Sequence, residues 1–209
     1  MISLTLPPSI VSLRQLYVHA PRFFIGLSGE LRNVTFGSIN VHSEDASIQT
    51  GALVSAGSVS LSTSNALIIT SGPVEAQNIN ISTTHGRIFG QWRASNKIVS
   101  RVVDGGVSGW YSVNDGGLLI VQTTNGEIEI DVSLLPSSDK SKSTKSESYK
   151  VSAESTNGAI AIKFLEQPQG SHLSFDAVTT NAKAEVYLDP QFQGSFQVSF
   201  SLRFCSPSY

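Results

Sequence analysis

Apolar and polar side chains alternate along most of this chain, and the alternation is interrupted at regular places by a two-residue step. The steps are Asp45-Ala46, Asn65-Ala66, His85-Gly86, Asp104-Gly105, Asn125-Gly126, Asn157-Gly158 and Asn181-Ala182. Six residues before the first member of each stands an apolar side chain: Ile39, Val59, Ile79, Ile98, Leu119, Val151 or Phe175. Three residues after it stands Ile48, Ile68, Ile88, Val107, Ile128, Ile160 or Ala184. In the block Leu119–Asp131, Leu119 and Val121 alternate with Ile120 and Gln122 before the step, and Ile128 and Ile130 alternate with Glu127, Glu129 and Asp131 after it. Period-two alternation predicts strands with one buried face. Each repeat therefore reads strand, bend, strand. The residue at the bend is always Asn, Asp or His, types enriched at positive φ, and its neighbour is always small. A left-handed corner is the expectation.

The first members lie at 45, 65, 85, 104, 125, 157 and 181, so the early steps are close to 20 residues. Fixed-period repeats point to stacked architectures. Asn-Gly between alternating strands is also a hairpin signal, which leaves an antiparallel β-sandwich as the alternative. Three of the seven pairs end in Ala, which resists the positive φ that such hairpins demand at both positions. The expected fold is all-β: one domain, a right-handed parallel β-solenoid of about 20-residue coils with irregular terminal caps. A lone coil buries too few aliphatic side chains to offset the ordering of its backbone, so neighbouring coils must supply the rest.

The step from 125 to 157 is long, and residues 137–148 (SSDKSKSTKSES) contain no apolar side chain. They read as a flexible Ser/Lys-rich insertion, and Ser and Thr there are candidates for phosphorylation. A smaller insertion is expected around Glu166–Gly170. Residues 1–35 are read as an N-terminal cap and degenerate coil, 36–204 as the solenoid, and 205–209 as a tail. The stretch Phe196, Val198, Phe200, Leu202, Phe204 alternates with polar residues and is expected to be a strand with one apolar face, placed to cap the last coil.

Charge adds little: the formal net charge is −2 and 14% of residues are charged. There is no basic stripe with interleaved aromatics, so nucleic acid is not an expected partner. No apolar run is long enough to span a bilayer. The start lacks the pattern of a signal peptide, which favours an intracellular location, with the cell surface open if the chain is a fragment. Cys205 is the single cysteine, which excludes an internal disulfide.

The four histidines, His19, His42, His85 and His172, show no metal-ligand spacing, and no cofactor or metal is expected. Glu127, Glu129 and Asp131 share a strand face, but the matching positions in the next repeat are Ala159 and Ala161, so no acidic ladder is expected. The richest cluster of polar and aromatic types is Trp92, Asp104, Trp110, Tyr111 and Asp115. Two carboxylates and exposed rings would suit a sugar, as binding site or as acid–base pair. The competing reading has Trp92, Trp110 and Tyr111 covering the core where Ser100 replaces the usual aliphatic residue. No catalytic residue is assigned, and a non-enzymatic role is expected.

The blocks Thr123-Thr124-Asn125-Gly126-Glu127-Ile128-Glu129-Ile130 and Ser155-Thr156-Asn157-Gly158-Ala159-Ile160-Ala161-Ile162 resemble those of adhesin-like β-solenoid families of unknown function, widespread in bacteria. Leu188-Asp189-Pro190-Gln191-Phe192-Gln193-Gly194 resembles the Leu-x-Pro-x-Phe-x-Gly segment of their uncharacterised fungal relatives. The resemblance covers roughly residues 36–200 and implies a right-handed solenoid without known catalytic residues. The regular core without converging catalytic groups leads to the expectation of a binding or scaffolding module for a protein or glycan surface, with self-association end to end or side by side. A carbohydrate-binding or carbohydrate-active β-helix is the alternative.

Overall fold

The computed structural model describes residues 9–136, 147–190 and 192, with only the backbone of Ala56. The described residues form fourteen strands: β1 (Ser12–His19), β2 (Ile25–Leu27), β3 (Thr35–His42), β4 (Ile48–Thr50), β5 (Leu53–Thr63), β6 (Ile68–His85), β7 (Ile88–Asp104), β8 (Val107–Asn114), β9 (Leu118–Thr123), β10 (Ile128–Leu135), β11 (Ser148–Ser155), β12 (Ile160–Glu166), β13 (His172–Thr179) and β14 (Ala184–Tyr187). One short 3₁₀ helix, Gly29–Asn33, follows β2. Every strand pair is parallel. The chain is a β-solenoid of about 8 turns, with coils about 21 residues apart. Hairpins would have given antiparallel pairs, so the sandwich alternative is excluded.

Two ribbons run along the solenoid. The face before the bend is built by β1, β3, β5, β6, β7, β9, β11 and β13. The face after it is built by β2, β4, β6, β7, β8, β10, β12 and β14. β6 and β7 are long enough to serve both, and register shifts such as that between Ile69 and Pro73 mark where the chain turns within a strand.

The apolar columns stack in register. Ile39, Val59, Ile79, Ile98, Leu119 and Val151 are consecutive partners, and each is at most 1% exposed. Phe175 continues the column and meets Phe164 edge-on at 5.3 Å. On the other face Ile25, Ile48, Ile68, Ile88, Val107, Ile128 and Ile160 pair in sequence, all buried, and exposed Ala184 ends the row. β-Branched side chains suit this stacking because their stiff χ1 packs against the same group one coil away.

The corner differs from the sequence expectation. No Asn, Asp or His of the seven bends has a positive φ, and among their small neighbours only Gly105 does. The residue types are selected instead by contacts between coils. Asn65 Nδ2 donates to Asp45 Oδ1 at 2.6 Å, and His85 Nδ1 lies 3.1 Å from Asn65 Oδ1. His85 Nε2 lies 3.1 Å from Asp104 Oδ2, and Asn125 Nδ2 donates to Asp104 Oδ1 at 2.5 Å. Asn157 donates to Asn125 and Asn181 to Asn157, both at 2.6 Å. All seven bend residues thus form one side-chain ladder. Glycine is required at Gly126 and Gly158, where a Cβ would collide with the carbonyl of Gly105 or Gly126 one coil earlier, whereas three other corners accept Ala46, Ala66 and Ala182.

A second ladder lies just inside. Two residues before the bend, a buried hydroxyl donates to the carbonyl of the preceding corner: Thr63 to Ala46 (3.2 Å), Thr83 to Ala66 (3.1 Å), Thr123 to Gly105 (2.9 Å) and Ser155 to Gly126 (3.1 Å). Thr179 does the same to Gly158 at 3.1 Å. Val102 replaces the hydroxyl in one coil, the same coil whose corner holds Gly105 at φ 153.

The insertion is shorter than expected at its far end. Ser148 opens β11 opposite His172, and its N–H donates to Asp115 Oδ1 at 2.9 Å. Residues 137–146, the first eight residues of the expected N-terminal cap, the apolar strand expected at 196–204 and the tail lie outside the described residues. The second insertion is a turn between β12 and β13, with Gly170 at φ 75. Among the described residues no helix is long and apolar enough to cross a membrane.

Candidate ligand-binding surfaces

The five residues singled out from sequence do not form one site. Trp92 and Tyr111 are interior: they are 1% and 0% exposed and neighbours in the column Leu53, Val74, Trp92, Tyr111, Val132, Phe164. The reason is the space left by Ser100, where the coils on either side carry Ile81 and Val121. Tyr111 fills it, and its hydroxyl shares a buried hydrogen bond with Ser100 Oγ at 3.2 Å. Burial raises the Tyr111 hydroxyl pKa above the ordinary tyrosine range, and the bond to Ser100 opposes this more weakly. Trp92 Nε1 is buried without an acceptor among the described residues.

Asp104 belongs to the corner ladder beside His85, and Asp115 holds the N–H of Ser148. Of the three aromatic residues, Trp110 alone faces outward. It is 45% exposed on the face after the bend and packs edge-on against Phe89, itself 42% exposed, at 6.1 Å. Leu67 lies exposed on the same face. Period-two alternation places Trp110 and Tyr111 on opposite sides of the sheet, which already forbids a shared site. Glu129 is flanked by Ser108 and Ala161, and Asp131 by Trp110 and Lys163, so the acidic residues form no ladder across coils.

A concave surface lies on the opposite ribbon. An open groove of about 630 Å³ runs along the face before the bend, from Thr63 to Thr180. Its rim is formed by outward residues one and three positions before each bend. One column holds Thr84, Val103, Thr124, Thr156 and Thr180, and the other Ser82, Arg101, Gln122, Glu154 and Val178. Three members of the second column are linked across coils: Arg101 Nε donates to Gln122 Oε1, and Gln122 Nε2 donates to Glu154 Oε2, each at 2.9 Å. Glu154 is the one carboxylate among the lining residues. The groove is therefore a fixed row of hydroxyl, amide and charged groups suited to hydrogen-bonding an extended ligand.

Sequence reasoning missed this row because its members are about one coil apart and look unrelated in line. Aligning the seven bends and reading the third position before each would have exposed it. The same alignment pairs two histidines that looked scattered: His19 and His42 are register partners on β1 and β3. His85, by contrast, occupies the bend column as its sequence position implied.

Comparison with known proteins locates one part of the chain. Residues 117–206 match the family model of a domain of unknown function, DUF7330. This stretch contains β9 to β14, both Thr/Ser-Thr-Asn-Gly blocks and Glu154 of the groove. No curated protein matches, and no solved structure does either.

Proposed function

We propose that the chain is a non-enzymatic binding or scaffolding module, and that the groove before the bend receives an extended polar segment of a partner protein. The observation that carries this reading is the Arg101–Gln122–Glu154 chain, which holds donors and acceptors in fixed positions across three coils. A rigid row of this kind meets a partner with little ordering cost, the usual advantage of a preorganised surface. The adhesin-like aspect rests on the resemblance of the Thr-Thr-Asn-Gly-x-Ile blocks. The lone carboxylate of the groove argues against glycoside hydrolysis at this surface, since that reaction commonly uses a pair. The test is a displayed peptide library selected on the wild-type chain and on the variant Arg101→Ala/Gln122→Ala/Glu154→Ala. Enrichment of peptides that lose binding to the variant is expected. Peptides that bind both equally would remove the groove from consideration.

A second reading is favoured by the exposed Trp110–Phe89 pair, whose faces can stack on sugar rings. A glycan array probed with wild type and Trp110→Ala decides it: a glycan signal lost in the variant supports a carbohydrate-binding face.

A further inference from the structure

The first two coils bring together three side chains that no local motif connects. His19 ends β1 and His42 ends β3, and the two are register partners with ring centroids 5.1 Å apart. Glu44 follows two residues later, and the nearest ligand atoms of all three lie within 4.8 Å of one another. We propose that His19, His42 and Glu44 form a binding site for a divalent zinc-class ion. Two imidazoles and one carboxylate are a donor set that zinc accepts, with a fourth position left for water.

The backbone around the cluster is already fixed. Ala20 N–H donates to His42 O at 3.1 Å, and Glu44 and Asp45 N–H both donate to Pro21 O, at 3.0 and 2.8 Å. Ser43 is fully buried, and its hydroxyl reaches Ala20 O at 3.3 Å. These bonds tie the end of β1 to the corner after β3, so the ligands come from two coils held at a set separation. Ser62, one coil further along, supplies orientation. Its Oγ lies 2.8 Å from His42 Nδ1. With the proton on Nδ1 donated to Ser62, Nε2 is left with its lone pair for a metal, the usual arrangement for a ligating histidine.

The separations require only a small closure. Zinc bonds of about 2.0–2.2 Å place tetrahedral ligand atoms roughly 3.3 Å apart. His19 and Glu44 are exposed and can rotate to make up the difference, while His42 is held by Ser62. Hard cations do not share the preference for imidazole, so magnesium or calcium should not compete. A bound ion would clip the first coil to the second. Because binding favours the folded state, it raises the melting temperature.

The test is calorimetric titration of the untagged chain with zinc chloride, paired with thermal melts and with magnesium chloride as control. One zinc per chain and a rise in melting temperature are expected, with no response to magnesium. His42→Ala and His19→Ala should lose affinity by more than tenfold, and Ser62→Ala by about tenfold through loss of orientation. His172→Ala, far along the solenoid, should bind as wild type. If His42→Ala does not fold, exposed Glu44→Gln carries the test. No zinc binding, equal binding of magnesium, or wild-type affinity in the folded ligand variants overturns the proposal.

Discussion

The buried hydroxyl ladder lends itself to a test in which shape is held constant. Thr123 donates to Gly105 O at 2.9 Å and is 6% exposed. Val102 occupies the same column one coil earlier and is 4% exposed, so a valine already fits between these coils. Thr123→Val therefore exchanges a hydroxyl for a methyl of similar size and removes one hydrogen bond. Leaving this half-buried carbonyl without its hydroxyl partner costs about 1–2 kcal/mol, the lower part of the range for a buried group. At a urea m-value of about 2–3 kcal/mol/M, a loss of about 1.5 kcal/mol lowers the midpoint by roughly 0.5 M. Thr83→Val, which removes the 3.1 Å bond to Ala66 O, should behave alike. The two sites are two coils apart, about 10 Å, so their effects should add within about 0.5 kcal/mol. Thr124→Val is the control: its side chain points outward and is exposed, and its effect should stay within about 0.5 kcal/mol. The assay is urea denaturation followed by far-ultraviolet circular dichroism. Equal midpoints for Thr123→Val and Thr124→Val would refute the idea that the inner hydroxyls lock the coils.

Two further outcomes follow from the aromatic residues. Trp92→Ala should cost about 3–5 kcal/mol by opening a cavity in the stacked core, whereas Trp110→Ala should leave the urea midpoint nearly unchanged; the reverse order would mean that the two rings have been assigned to the wrong sides. Tyr111 has its pKa raised by burial, so its contribution to stability is complete below about pH 10, where the unfolded tyrosine begins to ionise, and is lost as the pH climbs through the higher folded value. Melting temperatures measured from pH 8 to 11 should fall at the alkaline end, and Tyr111→Phe should flatten that fall.

The columns at six residues before and three after the bend were legible in sequence because they depend on alternation and period alone. Ile79 or Ile128 needs no partner's identity to be recognised as interior. The corner was misread because Asn-Gly was judged by local turn preference. Asn125 is selected by amides above and below it, and Gly126 by the carbonyl of Gly105, and neither neighbour is local in the chain. The candidate site failed for a related reason. Trp92 and Tyr111 carry polar atoms and sit near aspartates in the sequence, yet period two sends them inward to fill the gap beside Ser100. That gap was visible as a missing aliphatic residue. The Arg101–Gln122–Glu154 row and the His19–His42 pair became visible only once the register was known.

The ladder of bend residues gives the molecule a spine and a fore-edge, like a bound book. Along the spine, Asn, Asp and His side chains fix every leaf to the next, tight glycine contacts reinforce several of the joints, and a residue added at an inner corner would break the rungs on both sides of it. The long connections after β2, β10 and β12 all open on the far side, between the end of one strand and the start of the next pre-bend strand. Chain length is therefore free to vary only at the fore-edge. New loops, whether acquired by descent or grafted by design, would enter there and leave the stitching intact.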